Sequence, residues 1–225
     1  MSMRSYEQAL ILATMTRTRS AGLSDSLIAA ADELMDHASP GSLTTRQIAR
    51  QASVSDGVLY NHFADRDALV SAALVRRYTR LVGVFEARLV EGAGMETSNT
   101  IEAWLRTFAR GLRDLEADAL HLAAGLLSQP SLLHAFWIGI HGAPLGLDRL
   151  ERPLVDKLVA AREAGLTART ADIRAATTAI FGIATMSALS LRLNPTADRR
   201  RLDGEFDSAI ALVAAALVAH PSLES

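Results

Sequence analysis

Apolar positions recur along this chain at helical spacing, punctuated by polar and helix-breaking residues. Leu27, Ile28, Ala31, Leu34, Met35 and Ala38 fall on one face of a first helix. Ser24 is placed to cap it, with Asp25 at its positive end and Leu23 stapled onto Ile28. Ser39-Pro40-Gly41 ends it, because proline and glycine break the helical ladder. Thr44 to Gln47 reads as a capping box that opens a short second helix with Ile48, Ala49 and Ala52 turned inward. Ser55 is expected to cap a third helix running to about Phe63. Asp65 should cap a long fourth one, with Leu69, Ala72, Ala73, Val75, Leu81, Phe85 and Leu89 on its apolar faces. The Gly- and polar-rich stretch 92–99 reads as a break. Helical patterns resume over 101–127, 131–140, 147–164, 170–193 and 206–219. No stretch alternates like a strand, so the expected fold class is all-α.

This pattern divides the chain into a leader over 1–22, a small three-helix unit over 23–70 and a larger helical unit over 71–225, with the junction inside the fourth helix. The apolar run Ala9 to Ala13 in the leader is too short to span a membrane and lacks the form of a signal peptide. Met15 is an alternative start. The expectation is a cytoplasmic protein without a membrane anchor.

Composition sharpens the reading at a few points. Hydrophobic residues make up 49% of the 225 and aromatic ones only 5%, a balance that favours helix packed on helix. Cysteine is absent, which excludes disulfides and thiolate metal sites. The net charge of −2 argues against a chain coated with basic residues, but charge is unevenly spread. Between Thr44 and Arg80 stand Arg46, Arg50, Arg66, Arg76, Arg77 and Arg80 against Asp56, Asp65 and Asp67, and Arg17 and Arg19 lie upstream.

Helices two and three are each about two turns long and could not hold their shape alone. They must be pinned by Ile48, Ala49, Val54, Leu59 and Phe63, which is the logic of a helix-turn-helix. With Leu59 and Phe63 inside, Asp56, Tyr60, Asn61 and part of Val58 or His62 turn outward, and Gly57 leaves room for close approach. Such a ridge suits hydrogen bonds to phosphates and base edges in a major groove. The helix starts at Thr44 and Ser55 can offer backbone N–H groups to phosphate oxygens.

The stretch "LTTRQIARQASVSDGVLYNHFADRDALV", Leu43 to Val70, resembles the DNA-binding signature of the TetR family of transcriptional regulators. With helix one the resemblance covers about a fifth of the chain. It implies that Thr45 and Arg46 approach DNA, and that Ser55, Gly57, Tyr60 and His62 lie on the recognition helix, Tyr60 and His62 as phosphate binders. It also implies that Arg66, where the family usually has lysine, contacts the backbone. Asp56 and Val58 depart from the family pattern. Asp56 repels phosphate but could accept from a cytosine amino group, Val58 suits a thymine methyl, and Asn61 could pair with adenine.

The resemblance further implies a repressor released from a palindromic operator by a small effector held in the larger unit. An apolar or aromatic effector is expected to touch some of Trp104, Phe108, His121, Trp137 and Phe181, and no cofactor is expected. The histidines His121, His134 and His141 are spaced by 13 and 7 residues, which is no compact metal motif. Small residues at Ala175, Ala179, Gly182 and Ser187, and at Ala209, Ala214, Ala215 and Ala216, suit a four-helix homodimer interface built from the last two helices. The rival is a helical ligand-binding protein whose DNA head no longer functions, supported by Asp56 and the acidic balance. An enzyme is disfavoured, because no nucleophile–base set, phosphate loop or metal cluster is present.

Overall fold

The computed structural model describes residues 22–95, 100–143, 145–194 and 196–218, and every regular element among them is helical. In chain order these are α1 (22–34), α2 (Thr45–Gln51), α3 (Asp56–Tyr60), α4 (Arg66–Met95), α5 (Ile101–Ala124), α6 (Pro130–Gly142), α7 (Leu147–Glu163), α8 (Ile173–Leu193) and α9 (Arg199–Leu217). A 3-10 turn, Pro40–Ser42, joins α1 to α2. The described residues form two compact units, one within 22–77 and 123–140 and one within 78–122 and 141–218.

In the first unit Leu27 and Ala31 of α1, Ile48 and Ala49 of α2, Leu59 of α3 and Leu69, Val70, Ala73 and Leu74 of α4 are buried together with Leu126 and Leu132. That burial holds two helices too short to be stable alone. α1 is clasped to α4 by Arg77, whose Nε donates to Asp32 Oδ1 at 2.6 Å and whose second nitrogen reaches the Asp32 carbonyl at 2.7 Å and the Asp36 carboxylate. α6 passes so close to α4 that a Cβ at Gly139 would lie 2.7 Å from Val75 Cγ2.

The second unit is built around Phe85 of α4, Leu105, Phe108 and Leu112 of α5, Leu154 and Leu158 of α7, Ile180 and Ala184 of α8 and Phe206 and Ile210 of α9. α8 lies against both α7 and α9. Arg113 links α5 to α9, donating to Asp203 at 2.7 Å while its guanidinium stands 4.6 Å from the Phe206 ring centroid. Arg110 pairs with Asp207 on the same seam.

Several local readings are corrected. α1 is already helical at Gly22, so Ser24 lies inside the helix and is not its cap. α3 ends at Tyr60, leaving Asn61 at its C-cap and His62 beyond it, and Phe63 is half-buried. Ser55 occupies the N-cap position of α3 but makes no side-chain capping bond. α4 continues through Gly92 to Met95, so the expected break there is absent as far as residue 95; residues 96–99 lie outside the described stretches. α9 begins at Arg199, seven residues before the apolar pattern, because the Asp198 carboxylate accepts from the backbone of Arg200 at 3.0 Å and Arg201 at 3.4 Å. The leader, with Met15, Arg17 and Arg19, lies outside the described residues.

Candidate nucleic-acid interface and small-molecule pocket

The short second helix starts as its sequence requires. Thr44 N donates to Gln47 Oε1 at 2.8 Å and Gln47 N returns a bond to Thr44 Oγ1 at 3.2 Å, the reciprocal capping box. The Thr44 hydroxyl also donates to Gln47 Oε1 at 2.8 Å, so it is committed to the cap.

The turn that follows is built by one left-handed residue. Ser53 has φ 57°, and the chain reverses with Ser53 N donating to the Arg50 carbonyl at 3.1 Å and Val54 N to the Ala49 carbonyl at 2.9 Å. That pair of bonds is a Schellman closure, in which glycine usually occupies the left-handed site. Val54, half-buried just past the turn, follows, and α3 leaves at Asp56 with Leu59 as its buried pin. α2 and α3 pack on one another, completing the helix-turn-helix.

What the geometry leaves outside is a polar ridge. Arg46 of α2 is exposed, as are Ser55, Asp56 and Gly57 at the start of α3, and Thr45 is half-buried. Nothing lies within 4 Å of the position where a Cβ would stand on Gly57, so another molecule could approach its backbone closely. Tyr60 is 58% exposed although its neighbour Leu59 is wholly buried. Asn61 is exposed, and Val58 and His62 are half-buried.

Arg66 does not join this ridge. Its Nε donates to the Leu43 carbonyl at 2.6 Å and its remaining nitrogens reach the Pro40 carbonyl and the Asp67 carboxylate, both at 2.5 Å. Half-buried, Arg66 thus staples the loop that enters α2. Asp67 is itself fixed by the Ser131 hydroxyl, which donates to it at 2.7 Å. That bond, and then Arg66, hold the Asp67 carboxyl below its ordinary range despite partial burial.

In the second unit the structure brings three of the five expected effector contacts together. Trp104 and Phe108 stack with ring centroids 5.3 Å apart, and Phe181 lies 6.4 Å from Phe108. Phe108 is wholly buried and also meets Phe85 edge-on at 5.4 Å, so it is core. His121 is exposed near the end of α5, and Trp137 is 57% exposed on α6 and belongs to the other compact unit. Trp104 alone of the five lines an open pocket of about 290 Å³, with Thr100 and Ile101 of the α5 start, Lys157, Ala160, Ala161 and Ala164 of α7, and Leu166.

The sequence reading passed over Lys157, whose Nζ stands 5.6 Å from the centre of the Trp104 indole. The signal was present: it is the single lysine in a chain whose other basic residues are all arginine. It also passed over Glu116, which burial pushes above the ordinary carboxyl range while a Thr185 hydrogen bond opposes the shift. Among the described residues no group of histidines and carboxylates could hold a metal ion.

Residues 27–73 match the profile of bacterial regulatory proteins of the tetR family. No curated protein matches the chain in sequence. Among solved structures it is similar to a TetR-family transcriptional regulator from Cytophaga hutchinsonii (TM-score 0.61, 14% identity, covering 90% of this chain and 98% of that one). It is likewise similar to the flavonoid-responsive regulator FrrA (TM-score 0.60, 20% identity, 88% and 98%). A third likeness is to the regulator FadR from Bacillus subtilis in complex with stearoyl-CoA (TM-score 0.53, 18% identity, 85% and 98%). In residues 27–73 the chain is thus similar to the tetR family of bacterial regulatory proteins, and it has the all-helical fold of solved TetR-family regulators.

Proposed function

We propose that the chain is a homodimeric, DNA-binding transcriptional repressor, released from a near-palindromic operator by a small apolar or aromatic effector. The observation that carries this reading is the α3 ridge: Tyr60 stands exposed beside a wholly buried Leu59 on a helix locked by its neighbours. A ridge whose backbone is already fixed can enter a major groove with little further loss of backbone freedom on binding. In this reading Tyr60 and Arg46 bind phosphates, Asn61 reads a base edge, and open Gly57 admits the duplex backbone. Thr45, Ser55, Asp56, Val58 and His62 complete the contact surface, whereas exposed Thr44 caps α2 and Arg66 holds the loop that leads into it.

Dimerisation is supported by faces that the described residues leave uncovered. The most apolar window of α8 has a mean hydropathy of 1.3, yet only 28% of it is buried within the chain. On α9, Leu212 is 72% exposed. A second copy seated on α8 and α9 would cover both and set two α3 helices on one duplex, with half-sites about 34 Å apart or a multiple of it. Effector binding would then favour a dimer whose reading heads no longer fit that spacing, lowering affinity by its preference for one state.

Gel shift with the DNA upstream of the chain's own gene, with and without aromatic and apolar compounds, tests the reading. A retarded band that Tyr60→Ala weakens and a compound dissolves is the expected result. The competing reading, a ligand-binding protein with a silent head, draws on exposed Asp56 at the first turn of α3. It requires ligand binding with no retarded band at low salt.

A further inference from the structure

We infer that the pocket between the start of α5 and the end of α7 binds a small flat or short-chain carboxylate, with Lys157 as its counter-ion and Trp104 as its wall. This rests on the reading of the chain as a sensor of small molecules and names the class of molecule sensed.

The space is made by sequence. Ala160, Ala161 and Ala164 occupy the last turn of α7 and its cap, where larger residues would fill the gap facing Trp104. The lip of the pocket is set by Gly165, whose φ of 72° turns the chain so that Leu166 N donates to the Ala161 carbonyl at 2.9 Å. That closure aims Leu166 back at the pocket it lines. The apolar walls are therefore alanine methyl groups, the side chains of Ile101 and Leu166, and an indole.

Among the described residues that line the pocket Lys157 is the single charged side chain. Lys157 forms no ion pair with the described residues; its recorded partner is the Trp104 ring, at 5.6 Å. A cation over an indole at an exposed site is held weakly, whereas a carboxylate offers it a charge-assisted hydrogen bond. The same charge disfavours a cationic ligand. The α5 start adds to the selection. Thr100 caps it, its Oγ1 accepting from Ala103 N at 3.3 Å, and the positive end of a 24-residue helix faces the same space. At about 290 Å³ the pocket lies at the lower end of small-molecule sites, which run from about 300 Å³ upward. One or two fused rings, or a short acyl chain, fit. A long acyl chain does not.

The test uses the full-length chain and two ligands of one shape, 2-naphthoate and 2-naphthalenemethanol, titrated by calorimetry. The inference expects the carboxylate to bind at least tenfold more tightly than the alcohol. Lys157→Met should erase that difference, Lys157→Arg should keep most of it, and Ala164→Phe should remove binding of both. Because Lys157 is the single lysine, reductive methylation with ¹³C-formaldehyde gives one side-chain NMR signal besides the α-amino group. That signal should shift with the carboxylate and be far less sensitive to the alcohol. Circular dichroism melts of each variant separate loss of binding from loss of fold.

Equal affinities for the two ligands, an unchanged preference in Lys157→Met, or no binding of either at millimolar concentration would overturn the inference. No DNA enters this experiment, so its failure leaves the regulator reading standing. Carboxylate binding by a chain that ignores DNA would instead sink that reading and leave the pocket.

Discussion

Arg66, at the head of α4, donates from Nε to the carbonyl of Leu43, 23 residues upstream, at 2.6 Å. A second donor reaches the Pro40 carbonyl, so one guanidinium closes the loop that delivers the chain into α2. Planar, forked donors serve such a two-carbonyl site better than an ammonium can. Arg66→Ala is expected to destabilise the chain by about 1–2 kcal/mol, the scale of lost charge-assisted bonds to partly buried carbonyls. It should weaken DNA binding without changing the salt slope, because no phosphate contact is lost. Tyr60→Ala should instead leave stability intact and lower affinity about tenfold, with the salt slope again unchanged because the side chain carries no charge. Chemical denaturation and salt-dependent titrations of both variants check the pair.

Ser53 carries the left-handed turn between α2 and α3 with a Cβ that its φ of 57° disfavours. Ser53→Gly should remove that strain, offset in part by greater freedom of the unfolded chain, for a net gain of a few tenths to about 1 kcal/mol. Ser53→Val, β-branched at a positive φ, should lose more than that. The denaturation midpoints of the two variants should fall on opposite sides of the native chain.

The Asp67 carboxyl gives the first unit an acid limb. Its folded pKa is depressed, chiefly by the Ser131 hydroxyl and then by Arg66. Its contribution is therefore complete above the unfolded carboxylate value of about 3.9 and is lost as pH falls through the folded value. Ser131→Ala should lower stability at pH 7 and approach the native chain as pH falls through the folded value of Asp67. Glu116 acts with the opposite sign. Burial raises its folded pKa, so its ionised form costs stability as pH climbs above the ordinary carboxyl range. Glu116→Gln should flatten that part of the profile, read from melts between pH 4 and pH 7.

Leu212 projects from α9 with 72% of its surface exposed. If a second copy covers it, Leu212→Glu buries a charge in an apolar seam and should yield a helical monomer. Sedimentation velocity distinguishes the outcomes. A native chain that sediments as a monomer would contradict the dimer.

Much of the fold was legible because its signals are local. The capping box of Thr44 and Gln47 and the Asp65 cap, whose carboxylate accepts from Ala68 N at 2.7 Å, involve residues three apart. The start of α9 was missed because its first two turns are polar, and periodicity sees only apolar faces; the cap at Asp198 was the available signal. Gly92 was read as a stop, yet a glycine only weakens a helix, and α4 runs past it. The inward turn of Arg66 could not be read at all. Its acceptors are carbonyls 23 and 26 residues away, and a basic residue at a helix start looks the same whether it faces DNA or its own loop. Phe108 and Trp104 posed the same difficulty: both are aromatic and four apart on α5, and only packing separates the buried one from the one beside Lys157.

The central claim is that paired α3 ridges grip a duplex, and fluorescence anisotropy with a labelled fragment from upstream of the chain's own gene tests it most directly. The account predicts salt-sensitive binding that saturates at two chains per near-palindromic site and weakens in Tyr60→Ala and Arg46→Ala, while both variants melt like the native chain. Indifference of the native chain to the fragment and to other genomic duplexes at low salt, or undiminished binding by both variants, would contradict it.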